Sequence, residues 1–144
     1  MKKIVSWLAV LMWMGLIFYF SHQPGEESSE LSGSVVEIVL SIVPFIDADT
    51  EWVHIVIRKG AHFFVYFILG VLVINALRIS GVKLKRSVWV SILVCLLYAI
   101  SDEVHQLYIP GRSGEVSDVV LDTVGASFGM LIYLVFYRLI TRGE

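Results

Sequence analysis

Tyr98-Ala-Ile-Ser-Asp102-Glu103-Val-His105-Gln106 runs on directly into Leu-Tyr-Ile-Pro110-Gly111-Arg112. The stretch opens as the tail of an apolar run, residues 88–100, and ends in a dense set of ionisable groups. At the rise of an α-helix, that apolar run covers only ~20 Å of a ~30 Å hydrocarbon core. To span, the helix must continue through Ser101 into Asp102–Gln106. Each ion placed in hydrocarbon costs free energy, so such groups need partners or a task. The polar cluster is therefore read as the submerged end of a helix, not as a loop.

Outward from this stretch, three further apolar runs appear at residues 4–20, 61–77 and 123–137. The last two are also short, and the same reasoning draws Arg58-Lys59-Gly-Ala-His62 and Asp118–Asp122 into their helices. The spacing predicts spans at about residues 4–20, 58–77, 87–106 and 118–137. The 57% hydrophobic content and mean hydropathy of +0.79 are too apolar for a soluble domain of 144 residues. The fold expected is all-α: an integral membrane four-helix bundle with a short outer amphipathic helix, in one domain over residues 1–144. Lys2 and Lys3 resemble the start of a signal peptide, but no small-residue cleavage site follows, so an uncleaved anchor helix is expected.

Charge sets an expected orientation. With the N-terminus inside, Lys2, Lys3, Arg78, Lys83, Lys85, Arg86, Arg138 and Arg142 are inner, eight of eleven basic residues. Twelve of the thirteen acids are then outer, as the positive-inside rule requires of a multi-pass cytoplasmic-membrane protein with both termini inside. Arg58, Lys59 and Arg112 break the trend, and all three fall in the polar clusters. Between the first two spans, Leu31, Val35, Val39 and Ile42 share one face of an amphipathic segment ended by Pro44. Asp47-Ala-Asp49-Thr-Glu51 follows and offers helix N-caps; it lacks most of an EF-hand pattern.

Helical spacing sorts the polar residues by face. Arg58, His62 and Tyr66 recur at every fourth position, as do Tyr98, Asp102 and Gln106, with His105 beside them. Asp118 and Asp122 continue into Gly125-x-x-x-Gly129, a small-residue seam for close helix approach. Three stripes that begin at one depth suggest a shared outward pocket. Arg58, Lys59 and Arg112 suit a phosphate or carboxylate clamp, with Tyr66, Gln106, Asp118 and Asp122 as further binding residues. His62, Asp102, Glu103 and His105 offer acid/base groups or ligands for a divalent cation. Glu103-Val-His105 lacks the second histidine of H-E-x-x-H, so no metal is assigned, and no cofactor can be named. There is no P-loop, no nucleophile elbow and no basic-aromatic surface for nucleic acid.

These residues resemble the VanZ-like family of bacterial membrane proteins. The resemblance rests on Phe20-Ser21 with Gln23-Pro24, on Arg58-Lys59-x-x-His62-Phe63-x-x-Tyr66, and on Tyr98-x-x-x-Asp102-Glu103-x-His105-Gln106 running to Pro110-Gly111-Arg112. Asp118-x-x-x-Asp122-x-x-Gly125 completes it, so nearly the whole chain is covered. It implies a small multi-helix bacterial membrane protein, in a family whose name-giving member is linked to reduced susceptibility to teicoplanin-type lipoglycopeptides. It implies no catalytic assignment. Three functions stay open: binding or remodelling an anionic amphiphile (a membrane lipid, a cell-wall lipid precursor or a lipoglycopeptide), a lipid-directed hydrolase or transferase, and a purely structural role.

Overall fold

The structure, a computed structural model, describes residues 1–26, 33 and 51–142. All of the expected amphipathic segment around residues 31–43 except Gly33, and most of the Asp47–Glu51 run, lie outside the described residues. Among the described residues, four long helices follow one another: α1 (Lys2–Ser21), α2 (Glu51–Ile79), α3 (Leu84–Gln106) and α4 (Val116–Arg142). All four are long and apolar enough to cross a membrane. The second begins well before residue 58 because Trp52, Val53, Ile55 and Val56 extend its apolar turns. At ~1.5 Å per residue, even the shortest helix reaches ~30 Å, the thickness of the hydrocarbon core.

Polarity is inverted relative to a soluble bundle. Leu8, Leu11, Met12, Phe64, Leu93, Leu97, Val124 and Leu131 are exposed, while Ser87, Ser91, Gln106, Asp118 and Asp122 are buried. Lipid rather than water is the solvent for such a surface, and the polar side chains turn inward to find partners.

The closest helix pair is α2 with α4, and glycine makes it possible. A Cβ on Gly125 would collide with the Phe63 carbonyl, and one on Gly129 with the Phe67 carbonyl. Gly70 answers from α2, where a Cβ would meet the Ala126 carbonyl. Backbones that approach this closely gain packing contacts that larger side chains would forbid. The first helix leans on α2 and α3 through polar tips: Trp13 Nε1 donates to the Val65 carbonyl at 2.9 Å, and Tyr98 Oη to the Met14 carbonyl at 2.6 Å.

The two visible turns differ. At one end, α2 stops in a Schellman cap: Val82 N–H reaches the Leu77 carbonyl and Gly81 N–H the Arg78 carbonyl. Gly81 has φ of 87°, the left-handed conformation that this cap needs. At the other end, the α3–α4 loop is pinned to the foot of α1. Gly25 N–H donates to the Pro110 carbonyl at 3.1 Å. Arg112 sends Nε to the Gln23 carbonyl at 3.2 Å and Nη2 to the Phe20 carbonyl at 2.9 Å. Those contacts occupy carbonyls at and just beyond the helix end, where α-helices leave acceptors unpaired. Burial lowers the Arg112 pKa from its ordinary value.

Candidate functional site

The antiparallel order brings the C-terminal ends of α1 and α3 and the N-terminal ends of α2 and α4 to one end of the bundle. A cavity of about 550 Å³ opens there. Its apolar wall is Leu16, Ile17 and Phe20 from α1 with Ile57, Ala61 and Val65 from α2. Its polar part is Ser21, Gln23, Arg58, His62, Tyr66, Asp102, Gln106 and Arg112. On α2, positions 57, 58, 61, 62, 65 and 66 form one continuous face, so a single helical stripe supplies both characters.

Next to the cavity, the cations of α2 meet Asp118 of α4 and Glu115, the residue just before that helix. Lys59 Nζ pairs closely with Asp118 Oδ1 and lies 3.3 Å from Glu115 Oε2. Arg58 Nη2 stands 3.8 Å from Asp118 Oδ2 and 3.9 Å from Glu115 Oε1. Asp118 is buried and Glu115 half-exposed, so the burial of Asp118 between two cations is balanced. Hydrogen bonds from Ser117 and then Lys59 hold the Glu115 carboxyl below the usual glutamate range.

Deeper in, His62 Nδ1 lies 3.4 Å from Asp122 Oδ1, and Asp122 is fully buried. Tyr66 directs its hydroxyl toward Asp102 Oδ2 at 3.5 Å. Glu103 uses Oε2 to accept the backbone N–H of Glu115 at 2.8 Å, just ahead of the first turn of α4. Asp102 Oδ1, Glu103 Oε1 and both oxygens of Asp122 accept no hydrogen bond among the described residues, the His62–Asp122 contact being an ion pair only. Asp102, Glu103 and Asp122 each present an oxygen within 4.8 Å of the others. At an effective dielectric of ~20, two full charges that close repel by ~3 kcal/mol.

Of the residues singled out in the sequence, Arg58, His62, Tyr66, Asp102, Gln106 and Arg112 line the cavity together. Lys59, Glu103, Asp118 and Asp122 stand behind that lining, in the contacts between α2, α3 and α4. His105 points elsewhere: its Nε2 lies 3.1 Å from His22 Nδ1, and its ring packs on Phe18 with centroids 4.6 Å apart. Sequence reading missed Ser21 and Gln23 in the lining, His22 as a partner, and Glu115 as the bridge between both cations. Ser21 was traceable: it lies four residues after Ile17 and shares its helix face.

Four spanning helices around a buried ionic cluster define a polytopic membrane protein. The chain belongs to the VanZ/LLP1 family, whose model matches residues 6–137 and so takes in the whole cavity. No curated protein and no solved structure matches it.

Proposed function

We propose that the cavity binds an anionic amphiphile from the outer leaflet and holds or reorients it. The observation that carries this reading is the division of the lining. Apolar side chains from α1 and α2 suit an acyl chain, and Arg58 and Arg112 stand at the polar part where an anionic head group would rest. Arg58 keeps about two-fifths of its side chain exposed, and its two ion pairs are long, so its charge can be shared with a ligand. The basic residues at the opposite end of the bundle favour a cytoplasmic-membrane protein with both termini inside, with the cavity facing out. Membrane lipids, cell-wall lipid precursors and lipoglycopeptides all combine an apolar tail with anionic groups. A part in teicoplanin resistance and envelope physiology would follow from capture of any of them.

The test is lipid binding by the purified chain, read by native mass spectrometry against matched phosphatidylglycerol and phosphatidylcholine. The anionic lipid should bind more tightly, and Arg58→Ala should remove that preference while the fold persists. Equal binding of both lipids, or a preference untouched by Arg58→Ala, contradicts the reading.

A second reading is a membrane-embedded hydrolase or transferase acting on a lipid-linked substrate. One observation favours it: His62 faces the cavity with buried Asp122 3.4 Å from its Nδ1, so that a small closing movement would give an oriented general base. Arg58 would then stabilise an anionic transition state. Turnover of a labelled lipid precursor that disappears in His62→Ala supports it. Stoichiometric binding without product argues against it.

A further inference from the structure

Beside the cavity, three carboxylates converge without matching counter-charge. Asp122 is 0% exposed, and Asp102 and Glu103 are each 5% exposed. One oxygen from each lies within 4.8 Å of the other two. Their positions are enforced by three different constraints. Glu103 is anchored through Oε2 to the Glu115 amide, Asp102 is approached by the Tyr66 hydroxyl, and Asp122 is faced by His62. The oxygens without a hydrogen-bond donor among the described residues are Glu103 Oε1, Asp102 Oδ1 and both oxygens of Asp122. Among the described residues, the only ion pair to this trio is that from His62, which is ionic only when the ring is protonated; Arg112 acts on Asp102 and Glu103 through space, with its guanidinium held by the Gln23 and Phe20 carbonyls.

The contrast with Asp118 is informative. Asp118 is just as buried, yet Lys59 and Arg58 both reach it. An apolar bundle that provides two cations for Asp118 and leaves three clustered carboxylates short of charge lacks something at that point.

We propose that Asp102, Glu103 and Asp122 form a binding site for a hard divalent cation, Ca²⁺ or Mg²⁺. All three donors are oxygens, which these cations prefer. Three oxygens spread evenly at ~2.3–2.6 Å around one Ca²⁺ lie ~4.0–4.5 Å apart, close to the 4.8 Å within which these three oxygens fall. Mg²⁺, at ~2.0–2.1 Å, requires every pair to lie within ~4.2 Å. Asp102 belongs both to this trio and to the cavity lining, so the cation would sit where an occupant of the cavity could touch it. The site is argued from the carboxylates alone and stands whether or not the cavity takes an anionic amphiphile.

The experiment uses the full chain, purified in neutral detergent and stripped with a chelator. It is titrated with Ca²⁺ and Mg²⁺ by calorimetry and with Mn²⁺ by electron paramagnetic resonance. One saturable ion per chain is expected. Asp122→Asn and Glu103→Gln should each weaken it at least ~10-fold, because even residues that only support a metal ligand cost that much. Ser117→Ala, at the Lys59–Asp118 cluster, should leave ion binding unchanged. If both carboxylate variants fail to fold, the wild type still decides: its thermal midpoint must rise with Ca²⁺ or Mg²⁺ but not with Na⁺ at matched ionic strength. No ion bound at millimolar concentration, or binding unchanged in folded Asp122→Asn and Glu103→Gln, overturns the site. A more stable Asp122→Asn with no ion bound to the wild type also overturns it, since the carboxylates would then be sharing protons. No lipid enters this assay, so its failure is separate from failure of the amphiphile reading.

Discussion

His62 and Asp122 meet across the α2–α4 seam, with Nδ1 3.4 Å from Oδ1 and the carboxylate fully buried. Their approach depends on Gly125, one turn further along α4, whose missing side chain lets the Phe63 carbonyl come close. The small-residue seam and the ionic cluster are thus one construction: the first sets the helix separation at which the second can form.

Gly129→Val should therefore be costly. Its Cβ would run into the Phe67 carbonyl, which is backbone and cannot rotate away. We expect a loss of ~3 kcal/mol or more, within the range for severe overpacking, read as a lower unfolding midpoint in detergent. Gly60→Ala is the control. Nothing lies within 4 Å of the added methyl, and the change should stabilise α2 by ~0.5–1 kcal/mol through helix propensity.

Arg112→Ala should release the α3–α4 loop from α1. Two hydrogen bonds to the carbonyls of Gln23 and Phe20 disappear. A bond made by a charged group contributes ~1.5–3 kcal/mol, and one of these two is solvent-exposed and so at the weak end or below it, so the loss should be ~2–4 kcal/mol. Arg112→Lys should recover only part of it, because one ammonium does not reproduce the guanidinium fork. Hydrogen exchange over residues 107–115 is the measurement, with faster exchange expected in both variants.

Acid should weaken the Glu115 cluster. The folded Glu115 pKa is lowered by Ser117 and Lys59, so its contribution is complete above the unfolded value near ~4.3. It is lost as pH falls through the lower folded value. In unfolding scans between pH 7 and pH 3, the gap between wild type and Glu115→Gln should close on the acid side. A constant gap would mean that the Glu115 charge contributes nothing.

Much of this organisation was legible in the chain. Residues 88–100 are too short to span, which forced Asp102–Gln106 into α3, and α3 indeed ends at Gln106. Neighbouring residues were harder to sort. Arg58 and Lys59 are one residue apart and differ by ~100° around the helix, the angle implied by ~3.6 residues per turn. Arg58 therefore lines the cavity, while Lys59 turns to Asp118. Asp102 and Glu103 divide in the same way. In a bundle whose outer surface is itself apolar, hydropathy gives little sense of helix rotation, so sequence alone merged the cavity lining and the carboxylate cluster into one pocket. The His22–His105 contact was hidden for another reason: it joins residues 83 positions apart that share no helical stripe.

Blocking the cavity tests the proposed binding role most directly. Ala61 is a small residue in the cavity wall on α2, and Ala61→Trp would fill the space while leaving every charged residue in place. The measurement is capture of a photoactivatable phosphatidylglycerol by wild type and variant at matched folded concentration. We expect labelling of wild type at α1 and α2 residues of the cavity and its loss in Ala61→Trp. Equal labelling of the two proteins, or labelling spread over the lipid-facing surface alone, would contradict a binding cavity.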